Sequence, residues 1–174
     1  MIDTHCHVNF KDYDEDRDEV VERAKAKLNG FIDSGFGYES NIKSLKQSKE
    51  YEGFAYSTFG FHPVSSQNCT QKELDDVKEQ VITHMDEIVA IGEVGMDFYY
   101  CTDKALRERQ KEIFLEFVNI ANEYRKPLVI QEEMPRRRSS ICLKIMMTFQ
   151  EWFFTAMEEA LNWLEELQTR MNIT

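Results

Sequence analysis

Short runs of alternating or continuous apolar residues give way repeatedly to apolar residues spaced three and four apart. The opening MIDTHCHVNF reads as a strand. The following DEDRDEVVERAKAKLNG places Val20, Val21, Ala24 and Leu28 at helical spacing before a stop at Gly30. The pattern then recurs, predicting strand over 30–34, helix over 40–51, strand over 53–60, helix over 71–84 and strand over 87–92. A long helix follows over about 103–124, striped by Leu106, Ile113, Phe114, Phe117, Val118 and Ala121, and PLVI forms a fifth strand. Strands separated by helices imply a parallel sheet.

An open doubly wound sheet and a closed (β/α)₈ barrel both accept this alternation, and periodicity does not choose between them. The placement of polar residues does. His5 and His7 follow the first strand, His62 the third and Glu93 the fourth, and side chains at carboxyl-terminal strand ends converge in a barrel mouth. The expected fold class is therefore α/β, a TIM-type (β/α) barrel that is incomplete, with about the first five βα units and an aberrant helical carboxyl-terminal tail. No repeat, low-complexity tract or linker precedes Gln131, so 1–130 is read as one unit and 131–174 as a divergent tail.

Composition narrows the chemistry. The 174 residues are 42% hydrophobic and 12% aromatic, ordinary for one folded unit with a sizeable core. No apolar run is long enough to span a membrane, and Asp3 and His5 interrupt the start where a signal peptide needs a basic and apolar stretch, so a cytoplasmic protein without a membrane partner is expected. Cys6, Cys69, Cys101 and Cys142 form no CxxC pair and read as reduced thiols. A net charge of -11 argues against stable coating of nucleic acid, which needs a broad basic surface. It does not argue against an enzyme whose divalent metals reverse the sign locally.

In DTHCH, an extended backbone sends His5 and His7 to one side, about 6 to 7 Å apart along the strand, which suits shared metal ligation. Two histidines near a terminus are as readily surface or core residues, and the strand-end position tips the balance toward ligands. Imidazole with carboxylate suits zinc, manganese or iron, and more carboxylate and water suits magnesium or manganese. Glu93, immediately after EIVAIG, could bridge two metal ions or orient a water, although a solvated turn is the commoner fate of a lone glutamate between glycines. Asp97 is a second carboxylate within reach of the same cleft, equally explained by helix capping or an ion pair. In STFGFHP, Pro63 stops the strand and leaves His62 facing the cleft as a proton donor or substrate contact. His84 lies on an amphipathic helix and is given no role.

DTHCH, FGFHP, GEVGMDFYY, RERQKEIF and KPLVI come in an order and approximate spacing that resembles TatD-related deoxyribonucleases, over Met1 to about Ile130. The resemblance implies that His5 and His7 bind one of two divalent ions (Mg, Mn or Zn), that Glu93 bridges to the second and acts catalytically, and that His62 faces a DNA substrate. It implies phosphodiester hydrolysis by activated water without a covalent nucleophile. A barrel hydrolase acting on small-molecule amides or esters is the alternative within enzymes. A metal-binding fragment without turnover is the alternative outside them.

After KPLVI the family presents a histidine and a stretch like SRDAE, whereas this chain reads Gln131, Glu132, Glu133, Met134, Pro135, Arg136. Gln131 thus occupies an altered ligand position, and the later VVFHCYGG-like and aspartate-proline patterns are missing too. Reading the codons from residue 131 one base out of phase permits RDAE, and from 150 to 160 permits GVVFHCYGGS. The tail is accordingly expected to be a frameshifted continuation, which would also account for a chain shorter than the roughly 250 residues of a typical barrel. A half-built barrel predicts an uncovered last strand edge, hence poor solubility or association.

Overall fold

The computed structural model describes residues 1–134, 141–142 and 146–147, with side chains through Gln131. Five strands, β1 (Ile2–Cys6), β2 (Gly30–Ser34), β3 (Ala55–Phe59), β4 (Ala90–Asp97) and β5 (Leu128–Met134), pair in sequence order and in parallel. Between them run α1 (Arg17–Lys25), α2 (Tyr38–Glu50), α3 (Pro63–Ser66), α4 (Gln71–Thr83) and α5 (Lys104–Tyr124). The sheet curls into a half-barrel, as the placement of the polar residues along the chain predicts. Two short strands, β6 (Ile141–Cys142) and β7 (Met146–Met147), lie antiparallel on β5, so its outer edge is paired at Glu133, Met134, Leu128 and Val129. The edge expected to be bare is thus partly covered. The expected helical tail otherwise lies outside the described residues.

The helices begin where local chemistry starts them. Thr70 and Glu73 make a reciprocal capping box on α4, and the Asp103 carboxylate accepts from the Ala105 and Leu106 N–H groups at the start of α5. Pro63 occupies the first turn of α3, a helix the sequence pattern did not show, because its fixed φ suits that position. The predicted α5 stripe packs inward: Ile113, Phe114, Phe117, Val118 and Ala121 join Phe59, Leu74, Val77, Val81, Ile91 and Val94 in one core cluster. Leu106 is half-buried. A smaller cluster of Val8, Val21, Phe31 and Ala55 seals α1 onto β2 and β3. Every residue of β2 and β4 is buried, as expected for strands covered on both faces.

One strand differs from expectation. β4 runs from Ala90 through Asp97, not over 87–92, so Glu93 sits inside the strand and not in a turn after it. The glycines that read as turn residues instead permit close backbone approach. A Cβ on Gly95, whose φ is +150°, would stand 2.0 Å from the Gln131 carbonyl oxygen of β5. Gly60, just past β3, has the same effect on the other side: a Cβ there would meet the Glu93 carbonyl oxygen at 2.4 Å and its nitrogen at 2.5 Å. Among the described residues no helix is long and apolar enough to cross a membrane.

Gly60→Ala therefore forces the Glu93 backbone aside. It should lower unfolding stability by about 1–3 kcal/mol, the usual cost of overpacking, read as a reduced urea midpoint at unchanged slope. An unshifted midpoint would show that β3 and β4 separate freely at this point.

Candidate metal centre

Glu93 is 3% exposed and lies on a strand whose neighbours supply no lysine or arginine to it. A carboxylate so placed needs partners, and β1 brings them. His5 Nε2 stands 2.7 Å from Glu93 Oε1, and His7 Nε2 stands 3.6 Å from Oε2. The two Nε2 atoms are 3.2 Å apart. Burial pushes the Glu93 carboxyl up, but the His5 hydrogen bond and the charges of His5, His7 and His62 pull it further down, leaving it below the usual carboxylate range.

The rings are oriented by β2. His7 Nδ1 lies 3.0 Å from the Ser34 carbonyl oxygen, an atom that can only accept, so Nδ1 carries a hydrogen and Nε2 is the nitrogen turned toward Glu93. His5 Nδ1 meets Ser34 Oγ at 3.3 Å. Ser34 therefore holds both rings, through its carbonyl and its hydroxyl. Backbone contacts fix the carboxylate in turn: the Glu93 N–H donates to the Gly35 carbonyl, and Gly35 N–H donates to Thr58.

This donor set fits a divalent cation. Two imidazole nitrogens and a carboxylate face one another with all three donor atoms within 4.8 Å, the hydrogens of His7 point away, and outer partners fix ring orientation as they do around metal-ligating histidines. Among the described residues, His5, His7 and Glu93 form the group of His, Cys, Asp and Glu side chains with this property.

The other sequence-predicted residues fall as follows. His62 is close enough for its charge to act on Glu93, and its Nδ1 accepts from the Val64 N–H at 3.3 Å as the cap of α3. Its own N–H donates to the Phe36 carbonyl, tying the loop after β3 to the loop after β2. Asp97 is fully buried. Its Oδ1 accepts from the Tyr99 and Tyr100 N–H groups at 2.8 and 2.7 Å, and its Oδ2 has no hydrogen-bond partner among the described residues. Gln131 is buried on β5 opposite Gly95. His84 caps α4 and pairs with Glu87 at 2.7 Å, away from the site. Cys6, Cys69 and Cys101 form no disulfide among the described residues, while the side chain of Cys142 lies outside them.

Sequence reasoning missed the supports. Asp33 at the end of β2 is fully buried, with Oδ1 accepting from the Asn9 backbone N–H at 3.2 Å and its side-chain amide at 3.0 Å. The same amide donates to the Ser34 carbonyl at 2.9 Å, so Asn9 and His7 share one acceptor. Gln110 joins the Asp97 N–H to Gln67, beyond α3. The strand-end criterion that flagged His5, His62 and Glu93, applied to the second strand, would have flagged Asp33 and Ser34.

A profile described as TatD related DNase matches residues 2–151. An uncharacterized metal-dependent hydrolase, YabD, of Bacillus subtilis is 36% identical over 131 residues, covering 75% of this chain and 49% of that one. A 3'-5' ssDNA/RNA exonuclease TatD of a Rahnella species is 28% identical, covering 83% of this chain and 54% of that one. The crystal structure of the TatD homologue YjjV from Escherichia coli superposes with a TM-score of 0.67 at 26% identity, over 79% of this chain and 51% of that chain. The chain spans about half the length of the curated relatives it matches.

Asp33 makes a pH prediction. Burial pushes its carboxyl up to about 6, against the Asn9 hydrogen bonds that pull it down. A folded value above the unfolded one means the native chain holds the extra proton, so this stabilisation is fully present below about pH 4 and is lost as pH rises through about 6. Asp33→Asn keeps an accepting oxygen for Asn9 and removes the titration. Relative to the parent, the variant should gain roughly 2 kcal/mol of unfolding stability between about pH 4 and pH 7 in paired denaturation series. A difference that does not vary with pH would refute it.

Proposed function

The chain belongs to the TatD-related DNase family, and from that premise we propose that His5, His7 and Glu93 hold a divalent metal ion and that the site hydrolyses DNA phosphodiester bonds. The observation that carries this is the convergence of two β1 imidazoles on a buried β4 carboxylate, with the His7 proton turned away toward Ser34. When bound, a divalent ion supplies a water of lowered pKa and stabilises charge developing on the phosphoryl oxygens. The intact family site is proposed to hold two such ions, with Glu93 between them. Two imidazoles with one carboxylate suit zinc or manganese, and a site completed by further carboxylate and water suits magnesium or manganese.

The chain's own residues do the rest. Ser34 keeps both imidazoles from rotating, and the Gly35 carbonyl and Gly60 hold the Glu93 backbone, so little reorganisation is left for the reaction itself. His62, with Nδ1 used in capping α3, would present Nε2 to the substrate as a proton donor or phosphate contact. Asp97 serves its turn through Oδ1, so a substrate contact from it would run through Oδ2. Residues 131–174 are proposed to be read from a shifted frame, with Gln131 at a position where the family carries a histidine.

Purified chain should bind manganese, measured by calorimetry, and cleave a DNA oligonucleotide with magnesium or manganese. His5→Ala and Glu93→Ala should each lower the rate by at least about 100-fold, since changes outside the ligand set alone cost about 10–100-fold. A second version, with the tail returned to the other frame, should be the more active of the two. Metal binding without cleavage in either version would favour a metal-holding protein without turnover. Cleavage unaffected by Glu93→Ala would overturn the site.

A further inference from the structure

Phe10 is a large apolar side chain left 38% exposed beside the metal-facing histidines. Its ring stacks on the His7 ring with centroids 4.7 Å apart and planes within 6°. Phe36 closes the cluster edge-on, 5.5 Å from Phe10 and 5.7 Å from His7. One face of Phe10 is thus spent on a proposed ligand, while the residue itself stays partly open to solvent beside it.

The cluster is built to stay in place. Arg17 reaches back from α1, donating from Nε to the Val8 carbonyl at 2.8 Å and from a terminal nitrogen to the Phe10 carbonyl at 3.0 Å. Phe36 is held at both backbone ends, its N–H donating to Ser40 Oγ at 2.8 Å and its carbonyl accepting from the His62 N–H at 3.0 Å.

We infer that Phe10, backed by His7 and Phe36, is a stacking platform for an unpaired nucleobase of the substrate; this rests on the nuclease reading above. Charge supports a base-directed grip. With a net charge of -11 the protein has no general means of replacing the counterions of a nucleic-acid backbone. Two arginines of the helices that follow β1 and β4 are committed locally, Arg17 of α1 to Val8, Phe10 and Asp14, and Arg107 of α5 to the Cys101 and Phe98 carbonyls. Base–aromatic stacking needs no such charge and accepts any base, because every base has a π-face. A base inside a duplex keeps both faces covered by its neighbours, whereas a terminal unpaired base can turn onto the ring.

The test reads stacking directly. A single-stranded pentanucleotide carrying terminal 2-aminopurine, whose emission falls on stacking, is titrated with the full chain in the presence of manganese, alongside a blunt hairpin with the same label. Quenching by the parent chain should be strong for the single strand and weak for the hairpin. Phe10→Leu, which keeps an apolar cover on His7 but has no π-face, should weaken the apparent Kd about tenfold. Phe10→Trp should restore it, and Tyr124→Ala, at the far end of α5, should behave as the parent. Equal quenching by Phe10→Leu, no quenching by the parent, or equal quenching with the hairpin would each overturn the platform. Cleavage of the same oligonucleotide, followed separately on a gel, reports on the nuclease reading, because stacking is seen whether or not a bond breaks.

Discussion

The contact between His5 and Glu93 sets the shape of the sheet. The two residues lie on β1 and β4, which are not neighbours: β2 and β3 stand between them. In a flat sheet three inter-strand spacings would separate the backbones by about 14 Å, too far for a close pair of side chains pointing straight out from the same face. Curling turns the face inward and brings Nε2 to 2.7 Å from Oε1. A carboxylate as buried as Glu93 is tolerable only with such partners, so the curvature and the site are one requirement met together.

That requirement passes down into the backbone. Curvature presses the strand ends together, and the positions of closest approach carry no side chain: Gly60 lies against the Glu93 peptide and Gly95 against Gln131. Gly60 is held from the other side by the buried Asn41 amide, which accepts from its N–H at 3.1 Å and donates to its carbonyl at 3.2 Å, and which also donates to Gln80. Leaving one such buried group unpartnered costs about 1–3 kcal/mol, so these amides confine the loops as firmly as apolar contacts confine the helices. Apolar packing orders the outer layer of the half-barrel, and hydrogen bonds order its mouth.

Much of this was legible in the chain. The alternation of period 2 and period 3.6 gave the order of five strands and the long α5, because each segment meets water on one side only or is buried whole. His5, His7 and Glu93 were legible as candidates because imidazoles and carboxylates near strands are conspicuous, although Glu93 lies inside β4 and not past its end. The extent of β4 was not, since a glycine that breaks a strand and one that admits a neighbouring backbone look alike in sequence; only the distance from Gly95 to Gln131 distinguishes them. Asn9, Asp33, Ser34 and Asn41 were not legible either. Their roles depend on backbone atoms 19 to 25 residues away, as in Asn9 to Ser34 and Asn41 to Gly60, and such pairings leave no local pattern. Phe10 escaped notice for a related reason: an aromatic after a strand reads as core until its neighbour proves to be His7.

The supports of the metal-facing group also bear on the departure from the family pattern after residue 130. Ser34 orients both imidazoles, Asn9 and Asp33 brace Ser34, and Gly35 and Gly60 position Glu93, so every atom that shapes the group comes from β1 through β4 and their loops. The fifth strand touches this assembly through the β4 backbone, where Gly95 faces Gln131 and Val94 faces Ile130, both within the stretch that keeps the expected βα order. A change of side chain at 131 therefore falls on the strand next to β4, apart from the Ser34, Gly35 and Gly60 contacts that hold the group. The His5, His7 and Glu93 group is thus assembled by strands and loops that precede Gln131, whereas any donors that the second half of a barrel would add depend on the sequence beyond it.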